Sequence, residues 1–313
     1  MITNIFKRVS IKSIITSFFL TYLAFFFDLN ISNPEINLRL LIEKSLILTI
    51  AIMIFNLIIA YNELKKLNIR LGSEYLISFP ICIFLFYHDA GTDYQKVLMG
   101  IMILLSLNIY SRDFTKFSIP RSIFSLGIIF TIMSFVNINL SLFFFLIIFL
   151  LKYMTNFKKA IISLILSVIV TLQLLLMVTY LKTGKFLYQK PKYFSENIST
   201  ANFSSENEFI WITVIFMAFL IAIFQMKNNK VKFLPQNRML STFMIFWLAV
   251  SVIFRYFNLY SGEGKWSMSL IPTAYFIGIL IKEIKKDFWR DILVYSLIFI
   301  AVSSKFYFTH TSS

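Results

Sequence analysis

The chain has 313 residues, of which 58% are hydrophobic and only 14% charged, and its mean hydropathy is +0.77. A soluble globular domain runs about 45–50% apolar and about 25% charged, so the composition excludes one and the chain reads as a polytopic membrane protein. A single cysteine, Cys82, excludes a disulfide scaffold, and the apolar content excludes a disordered tail. The 30 Lys and Arg against 15 Asp and Glu give a formal charge of +15. In a soluble chain that excess would suggest nucleic acid, but here the cations fall in short clusters between apolar runs. No nucleic-acid partner is implied.

A spanning helix needs about 20 mostly apolar residues, and eleven runs approach that length. The first, 13–29, follows Lys7, Arg8 and Lys12. It reads as an uncleaved signal anchor, because Phe25-Phe26-Phe27-Asp28 offers no small-residue cleavage site. Runs at 44–61, 74–90, 95–111, 120–136, 138–154 and 160–180 follow, separated by brief polar turns. A longer segment, 181–208, comes next and is rich in Lys, Ser, Asn and Tyr. It reads as a solvated connector that holds a helix start at Ser204-Ser205-Glu206-Asn207-Glu208. Four more runs, 209–226, 239–257, 266–282 and 288–304, complete the chain. The expected fold is all-α: a transmembrane bundle of about eleven spans, forming one integral membrane domain over 1–313 in which 181–208 separates spans one to seven from spans eight to eleven.

Orientation follows from the loops that hold the cations. With the N-terminus inside, the inner segments take Lys7, Arg8 and Lys12; Lys65, Lys66 and Arg70; Arg112, Lys116 and Arg121; Lys152, Lys158 and Lys159; Lys227, Lys230, Lys232 and Arg238; and Lys282, Lys285, Lys286 and Arg290. That is 20 of the 30. Four of the ten outer cations lie in 181–208 alone. The expected topology is N-in and C-out in a bacterial inner membrane, with the basic loops facing anionic lipid headgroups.

None of the 15 carboxylates falls near the middle of a run, which argues against a buried proton relay. With two histidines, His88 and His310, neither a bis-histidine haem nor a histidine-rich iron site is expected within one chain, and no P-loop or nucleophile elbow occurs. No cofactor is expected, and whether a metal binds is left open. Pro80 and Pro272 fall inside runs, as ordinary membrane-helix prolines. Asn56 and Gln173 read as interhelical hydrogen-bonding groups, Cys82 as apolar filler, and the tryptophans as interfacial anchors, above all Trp266 and Trp289. What remains is a set of polar groups at the outer ends of runs. Asp28 ends the first, and His88, Asp89 and Asp93 flank the end of the third. Arg255 lies near the end of the ninth, before Glu263 and Lys265 in the turn Ser261-Gly262-Glu263-Gly264-Lys265-Trp266. Carboxylates could act there as base or cation ligand and Arg255 with Lys265 could hold a phosphate; charges at helix ends are equally the ordinary solvated rim of a membrane protein.

The order of features, Ile5-Phe6-Lys7-Arg8, Phe55-Asn56-Leu57-Ile58 before Lys65-Lys66-Leu67, Phe79-Pro80, Leu105-Ser106-Leu107 before Arg112, Lys158-Lys159, Ile271-Pro272 and Trp289, resembles an uncharacterised family of bacterial polytopic inner-membrane proteins of about 300 residues, a domain of unknown function. The resemblance implies fold and location and carries no mechanism. More loosely, Asp28 beyond the first run and the Ile271-Pro272 helix look like the ends of membrane glycosyltransferases that use lipid-linked sugars. That likeness implies Asp28 as base or metal carboxylate and Arg255 as phosphate holder. Those enzymes have a longer first outer loop, often with an acidic pair, where 30–43 offers Glu35 and Glu43. Two readings of function stand: a non-enzymatic envelope subunit, scaffold or lipid-handling protein whose partners are membrane lipids or partner membrane subunits, and a degenerate glycosyltransferase acting on a polyprenyl-phosphate-linked substrate at the outer face. A transporter comes third.

Overall fold

The computed structural model describes residues 6, 10–32, 37–46, 49–50, 75–85, 119–136, 157–184, 212–220, 223–224, 235–256 and 269–311. Among them the regular structure is helical throughout, with no strand. The long elements are α1 (Ile11–Ser32), α2 (Tyr75–Leu85), α3 (Ile119–Val136), α4 (Phe157–Thr183), α5 (Pro235–Tyr256), α6 (Leu270–Glu283) and α7 (Asp287–Thr311), and shorter helical stretches cover 38–46 and 212–220. Described helical residues fall in nine of the eleven apolar runs, while 95–111 and 138–154, like most of 181–208 with its expected helix start, lie outside the described residues. Two boundaries differ from expectation. Residues 38–43, read from the sequence as loop, are helical because Asn37 caps them: its Oδ1 accepts the N–H of Arg39 at 3.2 Å and its carbonyl accepts that of Leu41 at 3.1 Å. Pro272 lies in the first turn of α6, where a missing N–H breaks no helical bond.

The chain divides into two compact units, one of 1–101, 202–252 and 262–313, the other of 102–201 and 253–261. In the first, α2 packs against α1, α6 and α7, and α6 packs against α7. The described side chains of α2, including Leu76, Ile77, Ser78, Ile81 and Cys82, are buried, and in α6 every residue from Leu270 to Gly278 is buried. A helix buried on all sides belongs at the centre of its unit. The Tyr275 hydroxyl of α6 meets Ser241 Oγ of α5 at 3.0 Å, and Trp247 of α5 is fully buried with its ring edge-on to Phe243. Trp247 is therefore a core residue here, whereas Trp289 is 57% exposed.

At its start α1 is held by a reciprocal cap. Ser10 Oγ accepts the N–H of Ser13 at 3.2 Å, and Ser13 Oγ accepts the N–H of Ser10 at 2.8 Å. From there α1 turns an unusual face inward: Ser13, Ser17 and Thr21, each one turn apart, are buried, while Ile11, Ile15, Phe19, Leu23 and Phe27 are exposed. The stretch 38–50 repeats the pattern, with Ser45 and Thr49 buried and Leu38, Ile42, Leu46 and Ile50 exposed.

In the second unit α3 packs along α4. The buried face of α3, Ile123, Leu126, Gly127, Phe130 and Thr131, follows the helical period. Opposite it α4 buries Ala160, Ser167 and Thr171. The two backbones approach closely at Gly127, where a Cβ would collide with Ser167 Oγ and would lie 2.9 Å from Ser167 Cβ and 3.2 Å from Leu164 Cδ1. Any side chain there would force the helices apart, and small residues at such crossings are what membrane helices use to gain dispersion contact. The outer face of α4 carries Ile162, Ile165, Leu166, Ile169, Leu174, Met177 and Leu181, all exposed. Gln173 is exposed among them, with no side-chain bond to another helix among the described residues. With 27 residues, α4 is the one described helix that is both long and apolar enough to cross a membrane. It ends at Gly184, whose φ of +65° and N–H bond to the Tyr180 carbonyl at 2.7 Å form a left-handed C-terminal cap.

The most specific tertiary bond joins α1 to α2. Pro80 sits inside α2 and has no N–H for the carbonyl four residues earlier, that of Leu76. Ser17 Oγ supplies the missing donor, reaching the Leu76 carbonyl at 2.7 Å in a buried setting. Ser17→Ala is therefore expected to destabilise the chain by about 1–2 kcal/mol. In a Pro80→Ala background, where the amide is restored, the same change should cost almost nothing. Unfolding of the four-member cycle in detergent measures the coupling, and equal costs in both backgrounds would refute the assignment.

Candidate functional site

Seven residues carry the outer-face site expected from the sequence, and the structure describes the side chain of one. Asp28 lies in the last two turns of α1, with its backbone described and its side chain not. His88, Asp89, Asp93, Glu263 and Lys265 lie outside the described residues, as do Asn56, Trp211 and Trp266. Asp28 belongs to the first compact unit and Arg255 to the second.

Arg255 is only 2% exposed, among the largest fully enclosed side chains of the protein. The cause is local. Along α5 the buried positions Phe243, Met244, Trp247, Leu248 and Ser251 run down one face, and Arg255 is the next position on that face. Arginines near a helix end ordinarily lay their apolar stem along the protein and extend the guanidinium toward water. This one is held inside, in the last turn of α5, where the helix dipole favours a cation. One turn earlier, Ser251 turns its own hydroxyl back to the Trp247 carbonyl at 2.9 Å. A buried guanidinium offers five N–H donors in a planar fork suited to phosphate or carboxylate oxygens.

A second buried charge was not singled out by sequence. Asp291, in the second turn of α7, is 4% exposed. It follows Arg290, whose guanidinium pairs with Asp287 one turn back. The signal that could have found Asp291 is its spacing: the α7 positions 287, 291 and 294 share a face, and Val294 is fully buried. Among the described residues no group of three or more His, Cys, Asp or Glu is placed to hold a metal ion. No protein-family model, curated protein or solved structure matches the chain.

The burial of Arg255 has a measurable consequence. Arg255→Ala removes an enclosed side chain and is expected to cost about 2 kcal/mol or more, whereas Lys285→Ala, at an exposed site, should stay within about 0.5 kcal/mol. Unfolding midpoints in one detergent compare the two, and similar shifts would show that Arg255 is not enclosed.

Proposed function

We propose that this chain is a polytopic protein of a bacterial inner membrane, N-in with about eleven spans, acting as a non-enzymatic subunit, scaffold or lipid-handling protein of the envelope. The observation that carries the reading is the burial pattern of α1, 38–50 and α4: hydroxyl and small residues make up most of the inside, beside Phe25 and Leu41, while most of the large aliphatic and aromatic residues face outward. In water that arrangement would expose far more contiguous apolar surface than a soluble monomer tolerates. In hydrocarbon it is the favourable one, because lipid tails satisfy the outer face and small residues allow close packing. The length of α4, about 40 Å at 1.5 Å per residue, exceeds the roughly 30 Å hydrocarbon core.

Topology is testable with the single cysteine removed. In a Cys82→Ala background, Glu263→Cys should react with a membrane-impermeant thiol reagent in intact cells, and Lys286→Cys should react only after the membrane is opened. Labelling of Lys286→Cys from outside, or of Glu263→Cys only after the membrane is opened, would overturn the N-in arrangement.

The glycosyltransferase reading stays as the second, favoured by one observation, the enclosed Arg255, since an interior cation is costly and is retained where it binds something. Native mass spectrometry of the protein in mild detergent separates the two. A stoichiometric protein partner or bulk phospholipid supports the scaffold reading. Retained polyprenyl phosphate or lipid-linked sugar, lost on Arg255→Gln, would replace it with the enzyme and make Asp28→Asn the next variant.

A further inference from the structure

The α6–α7 hairpin presents a compact surface that the proposed function does not yet use. Three residues, 284–286, join the two helices, with Ile284 extended at φ −72° and ψ 107°. Lys282, Lys285 and Lys286 are exposed around the turn. Immediately beyond, Phe288 and Trp289 are 61% and 57% exposed and stack edge-to-face with ring centroids 5.8 Å apart. One cation of the region is withdrawn: Arg290 is largely covered and paired with Asp287. The hairpin therefore shows water a cluster of lysines and, about 3–5 Å further along the α7 axis at 1.5 Å per residue, a pair of rings.

We infer that the Lys282–Trp289 hairpin docks on the headgroups of anionic phospholipids, its lysines meeting phosphate oxygens and its rings entering the interfacial layer beneath. Charge complementarity selects this occupant. Clustered lysines beside an apolar helix attract acidic lipids, and aromatic side chains with one apolar body settle at headgroup depth. A soluble polyanion would engage the lysines but leave two large rings in water. The pairing of Arg290 with Asp287 fixes the first turn of α7, so that Phe288 and Trp289 are held on one presentation. The inference rests on the membrane reading above and deepens it, naming the leaflet chemistry that anchors one end of the central helix α6.

The test uses the full chain in a neutral detergent, titrated with a short-chain phosphatidylglycerol or phosphatidylcholine, with the thermal unfolding midpoint as readout. Phosphatidylglycerol should raise the midpoint and phosphatidylcholine should not. Each lysine is worth about fivefold in apparent affinity. The triple variant Lys282→Gln, Lys285→Gln, Lys286→Gln should thus bind phosphatidylglycerol up to about a hundredfold more weakly, while the matching arginine variant keeps wild-type affinity. High salt should weaken the effect. Three outcomes overturn the inference: an unchanged response in the glutamine variant, an equal loss when Lys227, Lys230 and Lys232 are replaced instead, or full reproduction of the effect by glycerol phosphate, which would mark a free-phosphate site. Reconstitution into vesicles of phosphatidylcholine alone distinguishes the two levels. A chain that enters neither these vesicles nor ones containing phosphatidylglycerol refutes the membrane reading, whereas one that enters both but ignores lipid charge refutes only the docking.

Discussion

Away from water, every backbone carbonyl must find its donor within the protein, and the architecture of the first unit turns on one place where the helix cannot provide it. Pro80 interrupts α2, the helix that α1, α6 and α7 all touch. The orphaned Leu76 carbonyl is answered by Ser17 from the neighbouring helix. That bond fixes the rotation of α1 about its axis, because Ser17 must point at α2. Once it does, Ser13 and Thr21 follow one turn to either side, and Ile15, Phe19 and Leu23 are turned outward. A local defect in one helix thereby sets which face of another meets the surroundings.

The hydroxyl groups turned inward are mostly satisfied on their own helices. Thr21 bonds the Ser17 carbonyl at 2.7 Å, Thr49 that of Ser45 at 2.6 Å, Thr131 that of Gly127 at 2.6 Å and Thr273 that of Ser269 at 2.7 Å. Such back-bonding leaves no orphan group when helices are pressed together, and it lets small polar residues serve as packing surface. Where the approach is tightest, Gly127 against Ser167, the same economy appears as the absence of a side chain. At these crossings close backbones gain dispersion contact, beside a core in which Phe25, Phe130, Phe243, Trp247 and Phe276 are fully buried.

The positions of the helices were legible because apolar runs and their basic punctuation are long-range signals that survive local irregularity. Runs at 13–29, 120–136 and 160–180 match α1, α3 and α4 with termini shifted by up to three residues, and 288–304 matches α7, which continues seven residues further to Thr311. Asn37 was missed as a cap because Leu38-Arg39-Leu40 lacks the length of a run, and the cap geometry is a matter of three residues. The facing of side chains was not legible. Ser17 and Gln173 look alike as polar residues within apolar runs, yet one bonds a facing helix and the other is exposed. Composition names a polar group without saying whether a neighbouring carbonyl lies within reach. For the same reason Arg255 read as an interfacial charge, although its register with Trp247 and Ser251 carries it inside.

The enclosure of α2 and α6 bears on how the chain can be made. The α1–α2 pair has all its parts once residue 85 has been synthesised, but the helices that cover the rest of α2 begin at Leu270, about 185 residues later. At roughly 5–20 residues per second, translation leaves that face waiting on the order of 10–40 s. During the interval a proline-interrupted helix with Ser78 on its surface must be sheltered by something other than α6 and α7. The first unit therefore closes only when the C-terminal hairpin arrives, and a chain interrupted in its last quarter would present the cell's quality control with a half-covered α2.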